Sequence, residues 1–349
     1  MSTPANLHIT CEHCKQKATL ACAGCIAVPD TAAGIVQTTW YCGASCQRAG
    51  WNNHKEACKA IQARKSLFRA GEVVQHAFYM YREKVFDKYV LSVERDGEHL
   101  KTNIQYVLNE DTFFVPFPDK VCVDHADKQA LLASWACADA VAYMHGLVKS
   151  LLQGLYKEIS DVLVSTKNHR RRFINAGITA PNNNDNTKYG HEVIQVTLKN
   201  GEKYVLDIAG AQYGQFTTVI PWDVYVQSHV KDVIHCHDFG STRERITSPI
   251  YCNGSTHIQL KKYFNKLLSA SMDAKIKEWQ DSNITLPAML KLSEQKLFEK
   301  QSEFFSFLDG ELDKAKLSIQ GTLSGRARVP ATEALLEQWL RKGTFRRES

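Results

Sequence analysis

No stretch of eighteen consecutive apolar residues occurs in this chain of 349 residues, so no membrane-spanning helix is expected. The opening residues, MSTPANLHIT, have neither a basic start nor an apolar centre, and no secretory leader is expected from them. No internal repeat is evident. Charge of one sign is not in large excess either: the formal net charge is +6, spread along the chain and too mild to read as a nucleic-acid footprint. What remains has the balance of a folded globular chain, 44% hydrophobic and 23% charged, long enough to bury a substantial core in two or three domains. Cysteine is the exception. There are 11 in all, and most of them fall in one short segment near the start.

That segment, residues 11–58, reads CEHCKQKATLACAGCIAVPDTAAGIVQTTWYCGASCQRAGWNNHKEAC. Cys11/Cys14 and Cys22/Cys25 form two C-x2-C pairs, followed by Cys42-x3-Cys46 and His54-x3-Cys58. Eight soft ligands suit two tetrahedral zinc ions. A C-x2-C turn holds two thiolates within about 4 Å of each other, as a tetrahedral ion requires. The x3 spacing does the same on a helix, where residues four apart are neighbours, and predicts Cys42 with Cys46 and His54 with Cys58 on one helical face. Without a leader the expected compartment is a reducing one, nucleus or cytoplasm, where such clusters bind metal and do not form disulfides. Eight protein ligands close both ions, so the zinc is expected to be structural. Thiolates outnumber the charge of the two ions, which argues further against reading the formal +6 as a nucleic-acid signal.

The ligand order, with Tyr41 before Cys42 and then Cys46-Gln47-x3-Trp51-x2-His54-x3-Cys58, resembles the MYND-type zinc finger over residues 11–58. The resemblance implies interleaved sites, Cys11, Cys14, Cys42 and Cys46 on one ion and Cys22, Cys25, His54 and Cys58 on the other. It also implies a protein-interaction module that takes up short proline-containing peptides in a groove formed partly by Gln47 and Trp51. The spacer between Cys25 and Cys42 is longer than the family pattern suggests, which bears on the loop and not on the ligands.

Beyond the finger, residues 61–93 carry Leu67, Val74, Phe78, Tyr81, Val85 and Tyr89 near helical spacing and predict an amphipathic helix, weakened locally by Gly71. From Asp96-Gly97 the pattern turns extended, and in FFVPFP Pro116 and Pro118 are expected to close an edge strand. Residues 125–164 read as helix, started by Asp127 and restarted by Ser134. The polar stretch 168–190 reads as a loop, with Arg170, Arg171 and Arg172 as a solvated helix end. Asn200-Gly201 between alternating runs predicts a two-residue hairpin turn. From Thr256 onward the chain is expected to be helical and amphipathic, with breaks near Ser282 and Gly321 and a basic tail, RKGTFRRES. The expected class is α+β: a finger over 1–60, a linking helix over 61–94, an α+β core over 95–255 and a helical region over 256–349. The finger, this helix and LDIAGAQYG together resemble uncharacterised fungal MYND-finger proteins.

MYND fingers also accompany SET-domain lysine methyltransferases, but the chain has no asparagine-histidine-cysteine motif of that type and no further cysteine cluster. A thiol site is the better enzymatic candidate. Cys137, His191 and Asp207 follow the order of papain-like and transglutaminase-like enzymes, and a helix capped by Ser134 would place Cys137 where the dipole favours a thiolate. Against it, Cys137, Val141, Met144, Val148 and Leu151 form one helical stripe, as a buried core cysteine would. A two-residue turn also pairs Ile194 with Asp207 and puts His191 and Asp207 on opposite faces, unless a bulge or three-residue loop intervenes. His235 and His237 share a strand face but lack spaced partners for a metal. The reading the sequence favours is therefore a zinc-binding regulator or adaptor in transcriptional regulation, with Cys137 in the core and the thiol enzyme as the alternative.

Overall fold

A computed structural model describes residues 9–26, 38–106, 114–122, 124–175, 184–249 and 256–323. The finger opens with a short antiparallel ladder, β1 (Leu20–Ala21) on β2 (Trp40–Tyr41). It then passes into α1 (Ala44–Lys84), one uninterrupted helix of 41 residues. The first turns of α1 carry metal ligands, and its later turns bury Leu67, Ala70, Val74, Phe78 and Tyr81 in the main core. The finger and the rest of the molecule are thus joined by a helix that both of them pack against. At Gly71 the helix leaves no room for a side chain: a Cβ there would lie 2.5 Å from Val219 Cγ2. Arg64, bound to Glu202 through two nitrogens, and Arg69, donating to Leu290 O at 2.6 Å and Leu292 O at 2.9 Å, fasten the helix to its neighbours.

Two sheets follow. β3 (Lys88–Asp96) and β4 (His99–Tyr106) form a hairpin, and after the helices α2 (His125–Ala133), α3 (Cys137–Tyr143) and α4 (His145–Leu151) comes β5 (Tyr156–Thr166). β6 (Arg172–Asn175) runs parallel to β4, and β7 (Asn184–Asp185) completes a sheet ordered β3-β4-β6-β7. β8 (His191–Leu198), β9 (Lys203–Leu206), β10 (Val219–Pro221), α5 (Trp222–His229) and β11 (Val230–Asp238) build the second sheet, ordered β10-β9-β8-β5-β11 and antiparallel throughout. One of its faces, with Ile194, Val196 and Leu206, joins the main core, and the other carries Val162, Val193, Val205 and Tyr225. α6 (Ser241–Thr247), α7 (Thr256–Ser282), α8 (Leu286–Met289) and α9 (Glu294–Leu323) close the core, with Phe264, Leu268, Met272, Phe304 and Leu308 inward. The α+β class holds.

Several local expectations need correction. The helix expected to reach residue 164 ends at Leu151, because YKEISDVLV has the β-branched, alternating pattern of β5, which lies between β8 and β11. α2 is capped by Asp124, whose Oδ1 accepts from Asp127 N at 2.9 Å, and not started by Asp127. Phe114–Pro118 is not a strand. Arg171 is no solvated helix end: it pairs at 2.9 Å with Asp127, whose side chain is fully buried, and Arg172 opens β6 beside Asp185. α9 runs straight through Gly321. Most of the asparagine-rich stretch, the finger's spacer and the helix expected at TEALLEQWL lie outside the described residues.

Candidate metal centre and candidate thiol site

Eight ligand atoms of the finger gather into two groups, Cys11, Cys14, Cys42 and Cys46, and Cys22, Cys25, His54 and Cys58, each with all four atoms within 4.8 Å of one another. Zn–S bonds of about 2.3 Å in a tetrahedron put the sulfurs about 3.8 Å apart. Cys14 and Cys42 lie at 3.6 Å, Cys22 and Cys58 at 3.8 Å, and Cys42 and Cys46 at 3.3 Å, so the donor sets fit zinc. Four donors of this kind close each site, which makes the ions structural. Burial pushes the Cys25 thiol up to about 12, whereas backbone hydrogen bonds outweigh burial at Cys11 and bring it down to about 6; a divalent cation would favour the thiolate at both sites. One spacing argument needs amendment. Cys42 precedes α1 at the end of β2, while Cys46, His54 and Cys58 stand on α1.

Thr39, Gln62 and Gly24, which support the ligands, escaped the motif. His54 Nε2 faces Cys25 Sγ at 3.3 Å, and its Nδ1 lies 3.3 Å from Thr39 Oγ1, which fixes the ring nitrogen that meets the metal. Gln62 donates to Cys58 Sγ at 3.1 Å. Gly24 has no room for a side chain, since its Cβ would fall 2.8 Å from Cys58 Sγ. Tyr41 is the finger's own aromatic core, fully buried with Cys11, Cys22, Cys25, Cys58 and Ile61. Trp51 lies outside that core, 42% exposed, its ring edge-on to His54, and Gln47 sits one turn before it on α1.

A second cluster lies at the rim of the five-stranded sheet. His191, the first residue of β8, is wholly buried, and its Nε2 lies 2.9 Å from Asp207 Oδ1. The Asp207 Oδ2 accepts from Tyr225 OH at 3.1 Å. The Cys137 thiol donates to Gly190 O, the carbonyl just before His191, at 3.9 Å, and lies near enough to the imidazole to favour its charge. Burial opposes charge on the ring, but Asp207 and Cys137 outweigh it and raise His191 to about 10. Nε2 is engaged by Asp207, and Nδ1 faces the Gln212 amide nitrogen at 3.3 Å.

Of two expectations that stood against this cluster, one fails and one holds in part. The hairpin turn is longer by one residue: Ile194 pairs with Leu206 and Thr197 with Lys203, with Gly201 at φ +89° inside the loop. This register returns His191 and Asp207 to one face, as the three-residue alternative requires. Along the stripe of α3 and α4, Val141, Met144, Val148 and Leu151 are buried, and Cys137, the half-buried first residue of α3, packs against the same core. Ser134 does not cap α3; its hydroxyl donates to Leu131 O at 2.7 Å. Gln212 is the residue the sequence reading missed. Its Oε1 accepts from Trp135 N at 3.2 Å and its amide nitrogen stands 3.3 Å from His191 Nδ1, tying the turn before Cys137 to the imidazole. GAQYG carried no catalytic pattern that could have singled it out.

His235 and His237 do share a face of β11, with ring centroids 5.5 Å apart. Among the described residues, the groups of three or more ligand atoms that fit a metal are the two in the finger. No described helix is long and apolar enough to cross a membrane.

Comparison with known families matches the MYND finger over residues 11–58. No curated protein and no solved structure matches the chain, so the wider fungal resemblance gains no support. MYND fingers typically mediate protein–protein contacts. The matched segment spans both four-ligand clusters from Cys11 to Cys58, so residues 11–58 are a MYND finger that binds two structural zinc ions.

Proposed function

We propose that the protein is a thiol acyl-transfer enzyme of papain-like or transglutaminase-like type, with Cys137 as nucleophile, His191 as base and Asp207 as the group that orients it. The observation that carries this reading is a buried imidazole held at 2.9 Å by Asp207, with the Cys137 thiol beside it on the carbonyl of the preceding residue, Gly190, at 3.9 Å. A nucleophile within reach of a base that is itself held by a third group is the general signature of covalent catalysis. In the first step the proton of the Cys137–His191 pair rests on the imidazole, which is raised to about 10, while Cys137 Sγ attacks an acyl carbonyl. The C–N or C–O bond then breaks, a thioester forms, and His191 returns the proton to the departing amine or alcohol. In the second step water or an amine attacks the thioester, His191 takes its proton, and the thiol is restored. The test uses an activated ester, p-nitrophenyl acetate, on the zinc-loaded protein. Peptide mapping is expected to find one hydroxylamine-labile acetyl group on Cys137, absent in His191→Ala. Acetylation that is no faster on Cys137 than on the exposed Cys236 contradicts the reading.

The finger's part in this reading is to recruit partners, in nucleus or cytoplasm, through proline-containing peptides gripped by Gln47 and Trp51. Its support is the exposure of Trp51, since a large exposed indole on a rigid helix is a common anchor for a partner. Trp51→Ala is expected to keep both zinc ions and lose binding to an array of proline-containing peptides. Unchanged binding removes Trp51 from the proposal.

A further inference from the structure

Lys88, the first residue of β3, is 3% exposed, and its ammonium lies 2.9 Å from Ser134 O and 3.1 Å from Ser134 Oγ. Burying an ammonium costs several kcal/mol unless it is paired and hydrogen-bonded. Its two hydrogen bonds both go to one residue, three positions before Cys137. Arg82, 6% exposed, donates from Nε to Leu132 O at 3.1 Å. Two buried cations therefore stand on carbonyls at the C-terminal end of α2, where the helix dipole favours positive charge.

The segment these cations grip is a tight connection between α2 and α3. Ser134 is fully buried, Trp135 has φ +59°, and Ala136 N donates back to Ala133 O at 3.1 Å. A bulky residue with positive φ persists only where its surroundings hold it. Here the hold comes from both sides: Lys88 on Ser134, and the Gln212 side chain on Trp135 N. The next turn of chain delivers Cys137 to His191. Burial weighs most against the ammonium's charge and, with Arg82 and Lys261, brings it down to about 8, while Asp87 and Asp139 favour it.

We propose that Lys88 is a positioning residue for Cys137, fixing the Ser134–Ala136 turn so that the thiol meets the His191 ring. The proposal rests on the thiol-site reading and is separable from it. Lys88 touches no reacting atom; it acts through the carbonyl it holds.

The experiment compares alkylation by iodoacetamide at Cys137 and at Cys236 in the same full-length, zinc-loaded chain. Lys88→Ala is read beside Val90→Ala, which loses core packing from the same strand without touching Ser134, and thermal stability and zinc content are measured for each. Lys88→Ala is expected to slow Cys137 by roughly 10- to 100-fold, the scale of an ångström-level misplacement, with Cys236 and zinc unchanged. Val90→Ala is expected to keep the wild-type rate. Propylamine supplies the three carbons and ammonium that Lys88→Ala lacks, and is expected to restore the rate in part. Should Lys88→Ala not fold, Lys88→Met serves in its place. An undiminished Cys137 rate in the Lys88 variant, or an equal loss in Val90→Ala, overturns the proposal while leaving the thiol site standing. A wild-type Cys137 no faster than Cys236 sinks the thiol-site reading, and this inference with it.

Discussion

His191 and Asp207 meet at 2.9 Å in the interior, both all but closed to solvent, and the meeting depends on one residue of turn length. A two-residue turn at Asn200-Gly201 would send their side chains to opposite faces of the sheet, because strand side chains alternate with a period of two. The longer loop, with Gly201 in the left-handed region, restores them to a common face. From there Asp207 reaches the ring nitrogen on one side and Tyr225 on the other.

The finger is expected to carry two zinc ions per chain and to lose its fold without them, because structural zinc supplies on the order of 10–16 kcal/mol in small fingers and the finger's own core is a handful of residues around Tyr41. Gly24→Ala pushes a methyl against Cys58 Sγ, a ligand that cannot shift without leaving the tetrahedron. Metal analysis of that variant is expected to show the Cys22, Cys25, His54, Cys58 site weakened and the other intact. Two tightly held ions in Gly24→Ala contradict this packing.

Gly71→Ala gains about 1 kcal/mol in helix propensity but forces a methyl within 2.5 Å of Val219 Cγ2. Overpacking typically costs about 1–3 kcal/mol, so the clash outweighs the gain and net destabilisation is expected in chemical denaturation. A stabilised variant would mean that α1 and β10 stand further apart than described.

The pairing of His191 has a pH signature. Its folded pKa, about 10, lies above the value of about 6.5 in an unfolded chain. The stabilisation is therefore present in full below about 6.5, declines as pH rises, and is gone once pH passes the folded value. The difference in unfolding free energy between wild type and His191→Gln is expected to be largest in mild acid and to close in alkali. A difference that widens with pH reverses the sign and rejects the charged pair.

How much of this was legible beforehand differs from element to element. Zinc ligation could be read directly, because a metal forces its donors into short, fixed spacings such as Cys11-x2-Cys14 and His54-x3-Cys58. The thiol site was legible as a set of residue types in order but not as a geometry, since turn length at Asn200-Gly201 decides the register and Asn-Gly suits more than one loop. β5 was lost to helix because KEISDVL carries both periods at once, and its place between β8 and β11 is set by long-range pairing. Lys88 and Gln212 left no local signal at all; their roles arise from contacts with Ser134 and Trp135 that only the folded chain creates.

The central claim is that Cys137 is a nucleophile prepared by His191, and alkylation tests it most directly. A low dose of iodoacetamide near pH 6.5, where an ordinary thiol reacts slowly, is applied to the folded, zinc-loaded protein, followed by peptide mapping. Cys137 is expected to be modified well ahead of the more exposed Cys236, and to lose that advantage in His191→Ala. Modification of Cys137 only after unfolding, or at an equal rate with and without His191, contradicts the account.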